Sequence, residues 1–309
     1  MIVASIDIGT NTVLLLIAET ENNTGKLKTI NNFYNMPRIG KGVTYGKNIS
    51  QDKIDLLLKI LKEYKKTAEF YKAGIIILTA TNALRIAANG KDIALKIKKE
   101  LDLDINIIDG DTEAKFSYLG AAFSGKSKSL NLVIDIGGGS TEIIFGRYDN
   151  IIYKKSFQIG VVTLTEKFIT ENPPSVKNIS EMKLFIEGTF YELKKYSHEK
   201  INAVAVAGTP TTLSCIKQNL KEYNDDKVEG SILTKNDLVK LSGEISAQTN
   251  DNIKKNYGSV VEGREDVLLS GTLILKILAD IINLDEITVS SKGLRYGAVI
   301  DYLSTRIQK

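Results

Sequence analysis

Residues 133–146 read VIDIGGGSTEIIFG. An apolar run ends on Asp135, Gly137, Gly138 and Gly139 follow, and Ser140-Thr141-Glu142 lead into a second apolar run. Consecutive glycines weaken any regular element, so three of them between two strand-like runs imply that something lies close against this backbone. The N-terminus carries a looser copy: IVASID, then IGTNT, then VLLLIAE. Both copies read as an apolar run followed by Asp-Ile-Gly-x-x-[Ser/Thr]. Asp7 and Asp135 head them, Gly9 aligns with Gly137, Thr10 with Gly138, Asn11 with Gly139, and Thr12 with Ser140. A further strand follows each copy, through LKTINNFY and IIYKKSF, so a whole supersecondary unit is repeated.

A strand that delivers an aspartate at its end sets a carboxylate at the mouth of the turn. Glycines after it let backbone N–H groups approach an anion, and Ser/Thr hydroxyls add donors. The candidate phosphate-binding residues are therefore Gly9, Thr10, Asn11 and Thr12 in the first turn and Gly137, Gly138, Gly139, Ser140 and Thr141 in the second. Two such turns facing each other would hold an oligophosphate in a cleft, with the aspartates carrying a hydrated Mg²⁺. One copy alone reads equally well as a hairpin with a glycine turn; the pair is what favours phosphate. The string GAAFSGKS (120–127) fits GxxxxGK[ST], but it falls at the end of a helical run, Thr112–Phe123, and not between a strand and a helix, so it is not read as a P-loop. A third turn, AGTPTTL, offers Gly208 and Thr209 to a phosphate or nucleotide at a helix N-terminus, or is a plain strand-to-helix turn with Thr as N-cap. Arg85, in TATNALRIAANG, follows a buried strand and can clamp a phosphate or lie on a helix surface. Glu113 falls in the first turn of a helix, where the macrodipole alone favours a carboxylate. Glu142 opens the strand after the glycines, where strand meets turn.

The bulk numbers bound the rest. The chain has 309 residues, 43% hydrophobic and 25% charged, enough for two ordinary domains. Its net charge of +4 suits a polyanionic substrate without demanding nucleic acid. A single cysteine, Cys215, excludes an internal disulfide and fits a reducing, cytoplasmic setting. A single histidine, His198, excludes a His-based zinc cluster. Val267–Leu284 is the longest apolar run, but Ser270, Gly271, Lys276 and Asp280 interrupt it, so it reads as a buried helix and not a membrane span. The apolar N-terminus lacks the basic start of a leader.

Strands alternate with helices, which argues for α/β layers. Ser50 opens a helix, with Ile49 and Ile54 placed as a hydrophobic staple, and GIIILTA (74–80) reads as a buried parallel strand. Helical pattern covers about 82–100, INIID is a short strand, and Thr112–Phe123 reads as a helix. In the second half a loop holds Pro173-Pro174, a helix starts at Ser180 with Ile179 and Leu184 as staple, and NAVAVA is a strand. Lys221–Gly230 reads as a loop, Thr234 with Asp237 as a helix start, about 263–282 as a long helix, EITVS as a strand, and GLRYGAVIDYLSTRI as a final helix.

The stretches SIDIGTNTVLLLIAE, TATNALRIAANG, DGDTEAKFSYLGAAF, VIDIGGGSTEIIFG, AGTPTTL, GREDVLLSGTLIL and VSSKGLRYG together resemble the exopolyphosphatase/guanosine pentaphosphate phosphohydrolase (Ppx/GppA) family, within the sugar kinase–Hsp70–actin superfamily. The resemblance implies two actin-like (ribonuclease H-like) α/β domains with mixed sheets flanked by helices and the site between them. The domains expected are 1–123 plus 293–309 and 124–292. It also implies release of terminal phosphate from polyphosphate, or of the 5′ γ-phosphate from guanosine pentaphosphate. By motif position Glu113 is the catalytic glutamate, Arg85 the phosphate-contacting arginine, and Asp135 and Glu142, with Asp7, the Mg²⁺-associated acids. A cytoplasmic homodimer of the short form, lacking the helical C-terminal domain of longer members, is expected on the same ground. Two departures stand out: Leu14 where many members carry Arg, and Ser291 where many carry Asp. The first weakens the case for the alarmone more than for polyphosphate. The other readings are a small-molecule kinase of the same superfamily using ATP, and an actin-like filament or chaperone-like ATPase.

Overall fold

The computed structural model describes residues 1–20, 27–121, 129–147 and 150–307. The chain divides into two compact units, Met1–Ala122 with Gly293–Lys309, and Phe123–Lys292. The boundary expected at 123/124, and the expected end of a helix at Phe123, lie outside the described residues.

In the first unit, β1 (Ile2–Ile8) turns into β2 (Val13–Thr20), antiparallel from Ile8↔Val13 to Ile2↔Glu19, and β3 (Leu27–Asn35) pairs antiparallel with β2. Helix α1 (Gln51–Phe70) follows Ser50 as N-cap and buries Ile54, Leu57, Leu61 and Tyr64 at helical spacing. Strand β4 (Ile75–Ala80) returns parallel to β1. After α2 (Asn82–Ile86) and α3 (Gly90–Leu101), β5 (Ile105–Ile107) pairs parallel with β4, and α4 (Gly110–Gly120) follows. The sheet order is β3-β2-β1-β4-β5. Alternation along the strands divides its faces. Ala4, Ile6, Ile8, Val13, Leu15 and Ile17 join the helical residues Ile54, Leu57, Leu61, Ile93 and Ile97 in one core.

The second unit repeats the plan. β6 (Leu130–Ile136), β7 (Thr141–Arg147) and β8 (Asn150–Phe157) form an antiparallel meander. Helices α5 (Val161–Phe168) and α6 (Val176–Phe190) and a 3₁₀ turn at Tyr191–Tyr196 lead to β9 (Ile201–Val206), parallel to β6. Then come α7 (Gly208–Lys217), α8 (Asp225–Val228), β10 (Ile232–Thr234), α9 (Lys235–Ser246), α10 (Asn250–Tyr257), α11 (Leu268–Ile282) and β11 (Glu286–Val289). The sheet order β10-β11-β9-β6-β7-β8 contains the first sheet's order, with the short antiparallel β10 added at one edge. Leu132, Ile134, Ile136, Ile143 and Phe145 meet α11 and α6 in the larger core.

The chain then returns to the first unit as α12 (Leu294–Ile307). It covers the sheet's other face, where Leu16 and Ala18 meet Tyr296, and Ile77 meets Ile108, Phe116, Leu294 and Ala298.

Local signals and tertiary demands diverge in a few places. Helix α6 begins at Val176, not Ser180: the Ser175 hydroxyl accepts from the Asn178 N–H at 3.3 Å and caps it, and Leu184 is exposed instead of closing a staple. Helix α11 begins at Leu268, because Gly258 and Gly263 take positive φ and residues 258–261 form a separate 3₁₀ turn. The polar stretch 221–230 contains α8, capped by the Asn224 side chain. Neither α5 nor α10 was expected. By contrast the Thr234 capping box forms in full: Thr234 Oγ1 accepts from the Asp237 N–H, and Asp237 Oδ2 accepts from the Thr234 N–H. Cys215 is buried, and burial raises its thiol pKa. Among the described residues, no helix is long and apolar enough to cross a membrane.

Helices α4 and α12 meet backbone to backbone. A Cβ on Gly297 would lie 1.7 Å from the Phe116 carbonyl oxygen. Gly297→Ala is expected to destabilise the first unit by roughly 1–3 kcal/mol or more, the usual cost of overpacking where only backbone can move. Urea titration of the variant checks this.

Candidate active site

The duplicated turns are hairpin turns with the same closure. The Gly9 N–H donates to the Thr12 carbonyl at 2.9 Å, and the Gly137 N–H to the Ser140 carbonyl at 2.9 Å. Those two amides are therefore engaged. The next carbonyls are held from behind. In the second turn, Val161 N–H donates to Gly137 O (3.0 Å) and Val162 N–H to Gly138 O (2.8 Å), both from the first turn of α5. In the first turn, Gly40 N–H donates to Thr10 O (2.9 Å) and Arg38 N–H to Asn11 O (3.1 Å). In a planar trans peptide the N–H points opposite its C=O. Tethering these carbonyls therefore turns the N–H groups of Gly138 and Gly139, and of Asn11 and Thr12, to the opposite side. Successive amides aimed one way make an anion-binding concavity.

The tethers need glycine on the tethering side. A Cβ on Gly160 would lie 2.5 Å from Gly138 O, and one on Gly40 would lie 2.4 Å from Thr10 Cγ2. The glycine-rich stretch thus has a neighbour the sequence did not disclose: the N-terminus of α5 packs on one side of it. Thr141, counted among the phosphate donors, gives its hydroxyl proton to Ile159 O at 2.7 Å.

The acids stand in a register row. Asp135 pairs with Glu142 across β6–β7, and Glu142 pairs with Ser156 across β7–β8. Directly opposed residues of antiparallel strands share a face. Asp135 is 9% exposed and Glu142 1%, and Ser156 Oγ donates to Glu142 Oε1 at 2.6 Å. Two facing, buried carboxylates repel one another unless a cation or a shared proton lies with them. All the donors are hard oxygens, which fit Mg²⁺ or Mn²⁺. Among the described residues no group of three His, Cys, Asp or Glu side chains could hold a metal. A carboxylate pair that leaves the remaining positions to water and phosphate oxygens is the usual Mg²⁺ arrangement. The corresponding row in the first unit is Asp7, Leu14 and Tyr34, so Asp7 faces an apolar side chain.

Arg85 and Glu113 are brought together. Arg85 Nη1 lies 2.8 Å from Glu113 Oε2 and also donates to Ile108 O at 2.9 Å, while Nη2 donates to Asn82 Oδ1 at 3.3 Å. Glu113 is buried in the first turn of α4, whose N-cap Asp109 accepts from Thr112 N–H at 2.7 Å. A charge-assisted bond, Arg85 Nη1 to Glu113 Oε2, ties the Glu113 carboxylate at one oxygen, while the guanidinium is also held by Ile108 O and Asn82 Oδ1.

The third turn is strained. Ala207 has φ 77° and ψ −168°, a region populated almost only by glycine, at a cost of about 1–3 kcal/mol. Gly208 gives room to the Arg264 guanidinium, whose Nε would lie 2.9 Å from a Cβ there, and Arg264 Nη1 donates to Thr212 Oγ1 at 3.1 Å. Thr209 is buried with its side chain against Gly271 of α11. Arg264 and Ser156 were not singled out from the sequence. Arg264 lies in the quoted GREDVLL motif, but its contact with Gly208 links distant segments; Ser156 is legible only once the strand register is known. His198 is exposed, in a turn.

Residues 16–306 match the model of the Ppx/GppA phosphatase family. The chain is 33% identical over 308 residues to a bifunctional 3-dehydroquinate synthase/phosphatase of Fusobacterium nucleatum, covering 96% of this chain and 46% of that protein, so it spans about half of that relative's length. It is 27% identical to exopolyphosphatase 2 of Mycobacterium tuberculosis, covering 96% of this chain and 97% of that one. The crystal structure of the Aquifex aeolicus Ppx/GppA family member superposes with a TM-score of 0.84 at 32% identity, covering 99% of this chain and 98% of that one. The two mixed sheets flanked by helices are thus those of actin-like domains.

Gly160→Ala places a methyl group against the Gly138 carbonyl. It is expected to weaken tripolyphosphate binding by roughly tenfold, the scale of one hydrogen bond to a charged group. Isothermal calorimetry measures this, with a thermal melt run alongside to separate loss of binding from loss of fold.

Proposed function

Because the chain belongs to the Ppx/GppA phosphatase family, we propose that it is an exopolyphosphatase, releasing terminal orthophosphate from inorganic polyphosphate. The observation that carries this reading is the pair of hairpin turns with tethered carbonyls and outward amides, the second lying beside the Asp135–Glu142 pair. A polyphosphate chain presents a regular series of anionic oxygens and few other handles, and outward amides suit such a substrate. Family membership supports hydrolysis over phosphoryl transfer to a hydroxyl, so the kinase reading is not favoured.

In this reading the amides of Asn11, Thr12, Gly138 and Gly139 bind phosphate oxygens. Arg264, beside Gly208, adds positive charge at the third turn. Glu113 orients a water molecule in line with the terminal phosphorus and takes its proton as the water oxygen attacks. The bridging P–O bond breaks, orthophosphate leaves, and the shortened chain departs with the electron pair on its new terminal oxygen. Arg85 offsets the charge that gathers on the terminal phosphoryl group while its Nη1 hydrogen bond keeps Glu113 aimed. The family is generally divalent-metal dependent. Asp135 and Glu142, with Asp7 as a further acid, would hold the cation, which when bound supplies charge neutralisation at the phosphate oxygens. Phosphoryl transfer needs mostly positioning and charge stabilisation, so this set is chemically sufficient.

The test is phosphate release from long polyphosphate, tripolyphosphate and guanosine pentaphosphate, in Mg²⁺ and with no acceptor. Release from polyphosphate is expected, abolished by EDTA and restored by Mg²⁺. Glu113→Gln is expected to lose ~10²–10⁴-fold in turnover, the usual contribution of a general base, while still binding tripolyphosphate. Turnover near wild type in that variant removes Glu113 from the role. Release from guanosine pentaphosphate alone would make the alarmone the substrate.

A further inference from the structure

The two copies of the hairpin differ in one row of side chains. In the first, Asp7, Leu14 and Tyr34 lie across β1–β2–β3. In the second, Asp135, Glu142 and Ser156 lie across β6–β7–β8. The fold accepts an apolar residue, Leu14, at the middle of the row in the first copy. In the second, a nearly inaccessible carboxylate at Glu142 is matched, one strand further out, by a hydroxyl.

We propose that Ser156 is a positioning residue that orients the Glu142 carboxylate toward a divalent cation. This rests on the reading of Asp135 and Glu142 as the metal-associated acids. Ser156 Oγ donates to Glu142 Oε1 at 2.6 Å, and Gln158 Nε2 donates to Ser156 Oγ at 3.3 Å. A serine hydroxyl has one proton and two acceptor lone pairs. With the Gln158 amide donating to the oxygen, that proton is directed at Glu142. The relay runs one way, Gln158 to Ser156 to Glu142, and ends on an acceptor, which suits an ionised carboxylate. A glutamate has three rotatable bonds, and a single short hydrogen bond at one oxygen removes much of that freedom. Groups that orient a ligating carboxylate in this way typically contribute 10–100-fold to metal affinity. β8 is the outer strand of the meander at the sheet edge, so Ser156 sits at the open side of the row and is only partly buried. Its loss removes one hydroxyl without opening a core cavity.

The experiment measures Mn²⁺ binding by electron paramagnetic resonance, with orthophosphate present and no turnover, on wild type, Ser156→Ala, Ser156→Thr and Glu142→Gln. The apparent Mg²⁺ requirement for phosphate release is measured in parallel. Ser156→Ala is expected to weaken Mn²⁺ binding at least tenfold and to raise the Mg²⁺ requirement by a similar factor. Turnover at saturating Mg²⁺ should change far less, and the melting temperature should move little. Ser156→Thr, which keeps the hydroxyl on a strand-compatible side chain, should restore both values. Unchanged Mn²⁺ binding in Ser156→Ala, with binding weakened in Glu142→Gln, would overturn the role of Ser156 alone. Failure of Thr to rescue would assign Ser156 to packing. Mn²⁺ binding that is unchanged in Glu142→Gln, or absent from wild type, would overturn the metal assignment and this proposal with it.

Discussion

The candidate site depends on holding a short hairpin turn by its carbonyl oxygens. In both units the backbone N–H groups of a neighbouring segment, the start of α5 or the loop at 38–40, take the carbonyls just past the aspartate-bearing strand. Peptide planarity does the rest, turning the following amides the other way. Each tether works only because the tethering segment approaches closely, and Gly160 and Gly40 are the residues that allow that approach. The turn is thereby organised by the protein's own hydrogen bonds, the kind of preorganisation that lowers the ordering cost of the anion binding proposed for it.

The two turns share a backbone plan and differ in the side chains that flank them. The first keeps a single carboxylate opposite Leu14. The second sets two carboxylates in one row and adds Ser156 beside them. The first unit holds the other charged constellation, Arg85 with Glu113, built on the helices that follow β4 and β5. Turns that share a backbone design therefore carry unlike side chains, as expected where one scaffold is used for both binding and chemistry.

Much of the fold was legible. The apolar runs IVASID and VLLLIAE, the buried run GIIILTA and the recurrence of Asp-Ile-Gly announced two related sheets, because apolar runs and glycine turns are local properties. The Thr234–Asp237 capping box was readable for the same reason. Helix α5 was not, since its N-terminal N–H groups are satisfied by Gly137 and Gly138, far from it in sequence, and not by a capping side chain. The start of α6 was misplaced because Ile179 and Leu184 imitate a staple, whereas Ser175 provides the cap.

The site shows the same division. Residue types and spacing alone determined that glycine turns headed by Asp7 and Asp135 recur, that Glu142, Glu113 and Arg85 stand at element ends, and that no histidine or cysteine cluster can exist. Those are properties of composition and short-range order. Only the tertiary structure decided which amides remain turned outward, that the Thr141 hydroxyl is committed to Ile159, that Arg85 pairs with Glu113, that Ser156 donates to Glu142, and that Arg264 lies against Gly208. Each of those facts depends on strand register or on a contact between distant segments. Register is set by how whole strands bury their faces, and no short stretch of sequence contains that information.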